Sequence, residues 1–357
     1  MYRFSLLCVC VLMASVAFAA GEAPFYEDKL DLLHYIDHKG EKQPIESRQY
    51  WGARKMHIMR NFKLVSGPLP DQSERPDPAV EVLEEVDFPE FTRRKITFNV
   101  EKAGDRVPAY VFIPKGLEGK APAMLCLHPT SKFGKGQVCE LGDLPNRNYA
   151  VELAKRGYVT IAPDYPGFGD YTDVDVYALG YESATAKGIW NHKRTLDVLT
   201  EMPEVDPYRM GAIGHSLGGH NALFIGLFDE RVRVMVTSCG FNSFAKYKGG
   251  DLTGWSHKGY MPKIATDYDK DPAKMPFDFP GVLGAIAPRP IFISAPVNDA
   301  NFEVSGVKDC VNAAGKVYSL LEASENLKAI YPDCEHDFPP EVRAEAYAFV
   351  DSYLKVE

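Results

Sequence analysis

From Ala123 onward the apolar positions come in short continuous runs separated by stretches of helical period. The runs are Ala123–Leu127, Tyr158–Ala162, Met210–Ile213, Val232–Ser238, Ile291–Ser294 and Leu327–Tyr331, and helical stretches such as Asn148–Arg156 and Ala186–Met202 lie between them. A short apolar run with no polar alternation is a strand covered on both faces. Strands alternating with helices predict a mostly parallel sheet with helices on both faces. Upstream, Thr92–Val100 and Val107–Ile113 are β-prone and split by Ala103-Gly104-Asp105, which predicts an antiparallel hairpin. A catalytic-sized domain over 86–357 follows from this pattern.

Two segments fall outside the alternation. Within 20–85, Glu46–Leu64 has helical spacing of Trp51, Ile58, Met59 and Phe62, and it is stopped by Ser66-Gly67-Pro68-Leu69-Pro70. This predicts an N-terminal helical extension that wraps the core. Between Gly240 and Pro288 lies an insert carrying Phe241, Phe244, Tyr247, Trp255, Tyr260 and Tyr268. Connections of this length are usually functional. The stretch around 241–288 reads either as a lid-like substrate platform or as a loop pinned to the core by its own aromatics.

At the N-terminus, Arg3 precedes the apolar run Leu6–Val16, and Ala17-Phe18-Ala19 has the small-x-small form of a cleavage site. Residues 1–19 therefore read as a signal peptide, and the chain as secreted or periplasmic. The run is too short to cross a bilayer, and no later segment suggests a membrane span. With 357 residues, 45% hydrophobic, the chain can bury a large core. A net charge of −9 with no basic cluster excludes nucleic acid as an expected partner. Beyond the leader, Cys126, Cys139, Cys239, Cys310 and Cys334 remain. An oxidising compartment permits a bridge such as Cys310 to Cys334, but spacing does not establish it. There is no Cys-x-x-Cys and no His/Cys cluster along the chain, so no metal is expected.

The chemistry is concentrated at Gly214-His215-Ser216-Leu217-Gly218, directly after the run Arg209–Ile213. Small residues on both sides of a serine, between a strand and a helix, describe a nucleophile elbow, and the N–H of Leu217 is placed to receive an oxyanion. A helix N-cap serine would need no such glycines. A serine hydroxyl needs a base and an orienting acid. His336 follows the last strand candidate and a turn, and Asp299 is the first carboxylate after the strand candidate at Ile291. Glu303 and Asp309 are the alternatives for the acid. After the first parallel strand, His128-Pro129-Thr130-Ser131 holds the expected second oxyanion donor. Pro129 has no N–H, which leaves Thr130 ahead of Ser131. Asp164 reads as structural, and Gly134-Lys135-Gly136 is too short for a phosphate loop. No cofactor is expected.

Taken with Leu125-Cys126-Leu127-His128-Pro129-Thr130, Asp164-Tyr165-Pro166-Gly167-Phe168-Gly169, Ala287-Pro288-Arg289-Pro290 and Glu335-His336-Asp337-Phe338, these motifs resemble the α/β-hydrolase superfamily over roughly Val86 to the C-terminus. Within it the chain is similar to the dienelactone hydrolase and acetyl xylan esterase-like branch. The resemblance implies an α/β-hydrolase fold, triad roles for Ser216, Asp299 and His336, and a small-molecule or polysaccharide ester as substrate, acetylated carbohydrate first among them. Two features depart from the branch: members of the dienelactone group often carry cysteine where this chain has Ser216, and His-Pro-Thr stands in place of His-Gly. The competing readings are a prolyl-oligopeptidase-like serine peptidase, for which the segment before Val86 is too short to hold a propeller, and a catalytically silent binding protein on the same fold.

Overall fold

The computed structural model describes residues 23–355 apart from Ala103; the expected signal peptide lies outside the described residues. The extension begins with a small antiparallel pair, β1 (His34–Ile36) and β2 (Lys42–Pro44). Helix α1 (Arg48–Ser66) follows. It buries Trp51, Arg54, Ile58, Phe62 and Val65, one face at intervals of three and four residues. Phe62 packs edge-on against Phe224, with ring centroids 4.8 Å apart, and lies 4.7 Å from Phe277. Each such apolar side chain contributes roughly 1.5–3 kcal/mol on burial, so the extension is part of the core.

A nine-stranded sheet forms the body. In chain order its strands and flanking helices are β3 (Glu81–Asp87), β4 (Phe91–Asn99), β5 (Arg106–Pro114), β6 (Ala121–Leu127), α2 (Tyr149–Lys155), β7 (Val159–Pro163), α3 (Ala184–Glu201), β8 (Val205–His215), α4 (Leu217–Phe228) and β9 (Val232–Ser238). The chain continues through α5 (Lys263–Thr266), α6 (Phe279–Ile286), β10 (Ile291–Ser294), α7 (Val304–Leu320), β11 (Leu327–Ile330) and α8 (Pro340–Leu354). The spatial order of strands is β11-β10-β9-β8-β6-β7-β5-β4-β3. Along that order every contact from β11 to β7 is parallel, whereas β5 meets β7, β4 meets β5 and β3 meets β4 antiparallel. This is an α/β-hydrolase fold.

The strand period of two divides the core. Along β6, Ala123, Leu125 and Leu127 face the layer built by α1, α3, α4, α6 and α7, while Met124 and Cys126 face α2 and α8. Helices therefore cover both faces. One strand was not anticipated: β3 runs across the expected boundary at residue 85 and pairs with β4 at the sheet edge. Its residues are nearly all exposed, so no apolar alternation marks it.

The insert after β9 is mostly two 3-10 segments, the short α5 and then α6. Phe241, Phe244, Leu252, Trp255 and Met261 are buried. Phe244 and Trp255 both pack against Phe279 of α6, at 5.6 and 5.4 Å. These aromatics hold the insert on the core, while His257, Tyr260 and Tyr268 keep solvent access.

Candidate active site

Ser216 is the single residue between β8 and α4, at φ 53°, ψ −117°. A non-glycine residue in this region carries roughly 1–3 kcal/mol of backbone strain. The neighbours allow it because they have no side chains. A Cβ on Gly214 would sit 2.1 Å from the Gly218 oxygen, and one on Gly218 would sit 1.9 Å from the Leu127 oxygen. The turn is tied to β9 through the Ser216 N–H and the Ser238 carbonyl, 2.8 Å apart. Its hydroxyl caps no helical N–H, and the side chain keeps some solvent access. Leu217 opens α4, and the first N–H groups of a helix have no acceptor within it.

The strand ends bring the other two predicted side chains together. Asp299 follows β10 and His336 follows β11, and His336 Nδ1 lies 3.0 and 2.9 Å from the two oxygens of Asp299. The Asp299 side chain is 1% exposed, and that of His336 31%. Asp299 Oδ1 also accepts from the N–H groups of Asn301 and Phe302, at 2.8 and 3.0 Å. Burial works to raise the Asp299 carboxyl, but hydrogen bonds from His336 and these amides outweigh it and hold the group below the usual range. The acid and histidine loops are joined by the Val297 N–H to the Pro332 oxygen, 3.0 Å, and the Asn298 side chain to Asp333, 2.9 Å. Edge-on contact between the rings of His336 and His215, 4.8 Å between centroids, sets the imidazole beside the elbow. Glu303 instead precedes α7 and bonds Ser305, and Asp309 pairs with Lys246 at 2.7 Å.

The loop after β6 runs against the elbow, as the Gly218–Leu127 approach shows. His128 donates from Nδ1 to the Pro129 oxygen, 2.7 Å, and accepts the Tyr165 N–H at Nε2, 3.0 Å, which fixes its tautomer. Thr130 is exposed. Lys135 is buried, with Asp164 and Asp170 at 2.6 and 2.7 Å. Asp164 thus holds this loop in place.

The fold also gathers residues that sequence order keeps apart. Ligand atoms of His215, Cys239 and His336 lie within 4.8 Å of one another, the one such grouping among the described residues. Burial pushes the Cys239 thiol well above and the His215 ring well below their ordinary values. A protonated thiol is a poor metal ligand, and His336 Nδ1 is already engaged by Asp299. All five cysteines among the described residues are free. A further contact with no signal in the sequence is Arg147, which reaches the histidine loop from a turn before α2.

A family model described as "Glucuronyl esterase, fungi" matches residues 175–322, a stretch that includes Ser216, the insert and Asp299. YtaP of Bacillus subtilis (strain 168) is 27% identical over 263 residues, covering 70% of this chain and 84% of that protein. S-formylglutathione hydrolase of Mus musculus is 30% identical over 200 residues, covering 45% of this chain and 68% of its own length. Among solved structures, a glucuronoyl esterase from Solibacter usitatus matches with a TM-score of 0.70 at 18% identity, over 93% of this chain and 99% of that one. No helix among the described residues is long and apolar enough to cross a membrane.

Proposed function

The chain belongs to the α/β-hydrolase superfamily, in its dienelactone hydrolase and acetyl xylan esterase-like branch, and we propose that Ser216, His336 and Asp299 are the triad with which it cleaves carbohydrate esters outside the cytoplasm. It is a serine carboxylic ester hydrolase. The observation that carries the triad assignment is the two-oxygen contact between buried Asp299 and His336 Nδ1, with the His336 ring packed on His215, the residue before the strained Ser216.

In the reaction, Ser216 Oγ attacks the ester carbonyl carbon while His336 Nε2 takes its proton. Asp299 keeps the proton of His336 on Nδ1 and stabilises the imidazolium. The N–H groups of Leu217 and Thr130 receive the tetrahedral oxyanion. The bond to the leaving alkoxide breaks, and His336 returns the proton to that oxygen, which leaves an acyl group on Ser216. Water then gives a proton to His336 and attacks the acyl carbon, and the acid departs as Ser216 regains its proton.

The first substrate reading is deacetylation, in which the sugar is the leaving alcohol. A second has specific support: the family model across 175–322 favours an ester of a uronic acid, in which the sugar is the acyl part. Rates on acetylated xylan, methyl glucuronate, p-nitrophenyl acetate, S-formylglutathione and an aminoacyl p-nitroanilide separate these. Turnover of at least one carbohydrate ester is expected. Activity confined to the thioester or the anilide would overturn the substrate reading.

A further inference from the structure

His336 sits in a segment without regular structure, between the end of β11 and the start of α8. The acid loop holds this segment from one side. On the other side the structure shows a tether from a distant part of the chain. Arg147, 6% exposed, sends Nη1 to Asp337 Oδ1 at 2.5 Å and Nη2 to the carbonyl of His336 itself at 3.2 Å. Asn146 completes it, with its amide 2.7 Å from Asp337 Oδ2. Arg147 Nη1 also bonds the Pro145 and Asn146 oxygens, 3.3 and 3.1 Å, so the guanidinium is fixed to its own turn as well as to the histidine loop. Asn146 has φ 60°, a left-handed conformation that asparagine tolerates better than most residues. The Asp337 carbonyl takes a fourth contact, from Cys239 Sγ at 3.4 Å.

We propose that Arg147, with Asn146, is a positioning residue for the catalytic histidine: it clamps the main chain at His336 and Asp337, so that the imidazole keeps one distance from Ser216. The inference rests on the triad reading above. The physical basis is the rigidity of a planar fork. One nitrogen engages the carboxylate and the other the carbonyl one residue earlier, so the guanidinium fixes orientation as well as distance, which a flexible ammonium cannot do. Asp299 restrains the ring at Nδ1, but a ring held only there can still pivot about that bond and carry Nε2 away from the serine. The backbone clamp removes the pivot. Misplacement by an ångström is enough to cost about 10²-fold in rate.

The test uses the protein, p-nitrophenyl acetate and a fluorophosphonate probe. Arg147→Met should lower kcat about 10–10²-fold with KM changed less than about threefold, and should slow fluorophosphonate labelling of Ser216 by a similar factor. Rates are normalised to folded protein by urea titration, since a purely structural role would lower the midpoint and leave kcat per folded molecule unchanged. Arg147→Lys restores the charge opposite Asp337 without the fork and should recover part of the loss. If Arg147→Met does not fold, Arg147→Lys carries the test alone, with a decrease of about three- to tenfold expected. Folded variants with kcat and labelling rates within twofold of wild type would overturn the clamp. Wild-type protein that is not labelled at Ser216 would instead overturn the triad reading.

Discussion

Replacing Asp299 by asparagine changes one atom of the site, and the surroundings dictate how the new amide must sit. Oδ1 already accepts two main-chain N–H groups, from Asn301 and Phe302. The amide oxygen has to stay there, or both N–H groups, that of Phe302 buried, lose their acceptor. The NH2 group then occupies the Oδ2 position, 2.9 Å from His336 Nδ1. Of the two atoms within reach of Nδ1, the nearer is now a donor, which favours the imidazole proton on Nε2, the nitrogen that in the proposed triad accepts from Ser216. The base is in the wrong tautomer, and its cationic form has also lost an adjacent carboxylate. A loss of about 10³–10⁴ in kcat is expected, about 4–5.5 kcal/mol of transition-state stabilisation. Stability should change by only about 1 kcal/mol, because a neutral hydrogen bond replaces a charged one without leaving a buried group unpaired. Initial rates on p-nitrophenyl acetate with a urea titration measure both. Glu303→Gln and Asp309→Asn should stay within about threefold, since neither side chain is hydrogen-bonded to His336. An Asp299→Asn enzyme within tenfold of wild type, or an equal loss in Glu303→Gln, would refute the reasoning.

Gly218→Ala places a Cβ 1.9 Å from the Leu127 oxygen and 3.0 Å from that of His128, both main-chain atoms leading into the Thr130 loop. It should destabilise the protein by about 1–3 kcal/mol or more and reduce kcat at least about tenfold; an unchanged urea midpoint and rate would show that the loop yields freely. His192 and His220 are pushed down by burial to about 3. Their folded values lie below the unfolded value of about 6.5, so stability is complete above that pH and falls as the unfolded chain takes up protons that the native state refuses. The two together should give a slope of up to about 2.7 kcal/mol per pH unit between pH 6 and 4, and unfolding free energies that stay flat over this range would contradict it.

What could be read in advance follows burial. β9 and β10 lie where the apolar runs Val232–Ser238 and Ile291–Ser294 put them, because the middle of a parallel sheet is dry on both faces. β3 was illegible for the opposite reason: Glu81, Glu84, Glu85 and Asp87 belong to an exposed edge, and charge on an edge strand hides its pattern. The elbow could be read because strain demands a particular composition on both sides of Ser216. Asp299 and His336 could be ranked because strand order fixes which loops meet. Arg147 could not be found, as nothing near Asn146-Arg147-Asn148 marks a partner 190 residues away. The His215–Cys239–His336 grouping was hidden for the same reason, since it assembles from three strand ends. The aromatics of the insert predicted contact but not its direction, and Phe244 and Trp255 turned inward.

The central claim is an acyl-enzyme on Ser216, and trapping that intermediate tests it most directly. The protein is mixed with excess p-nitrophenyl acetate, quenched in acid within milliseconds and digested for mass spectrometry. One acetyl group should appear on the peptide that contains Ser216, at near-stoichiometric yield, with a matching burst of p-nitrophenolate. Ser216→Ala should show neither and should lose at least about 10³-fold in turnover while keeping its urea midpoint. Acetyl on another residue, or a Ser216→Ala enzyme that retains a tenth of wild-type activity, would contradict it.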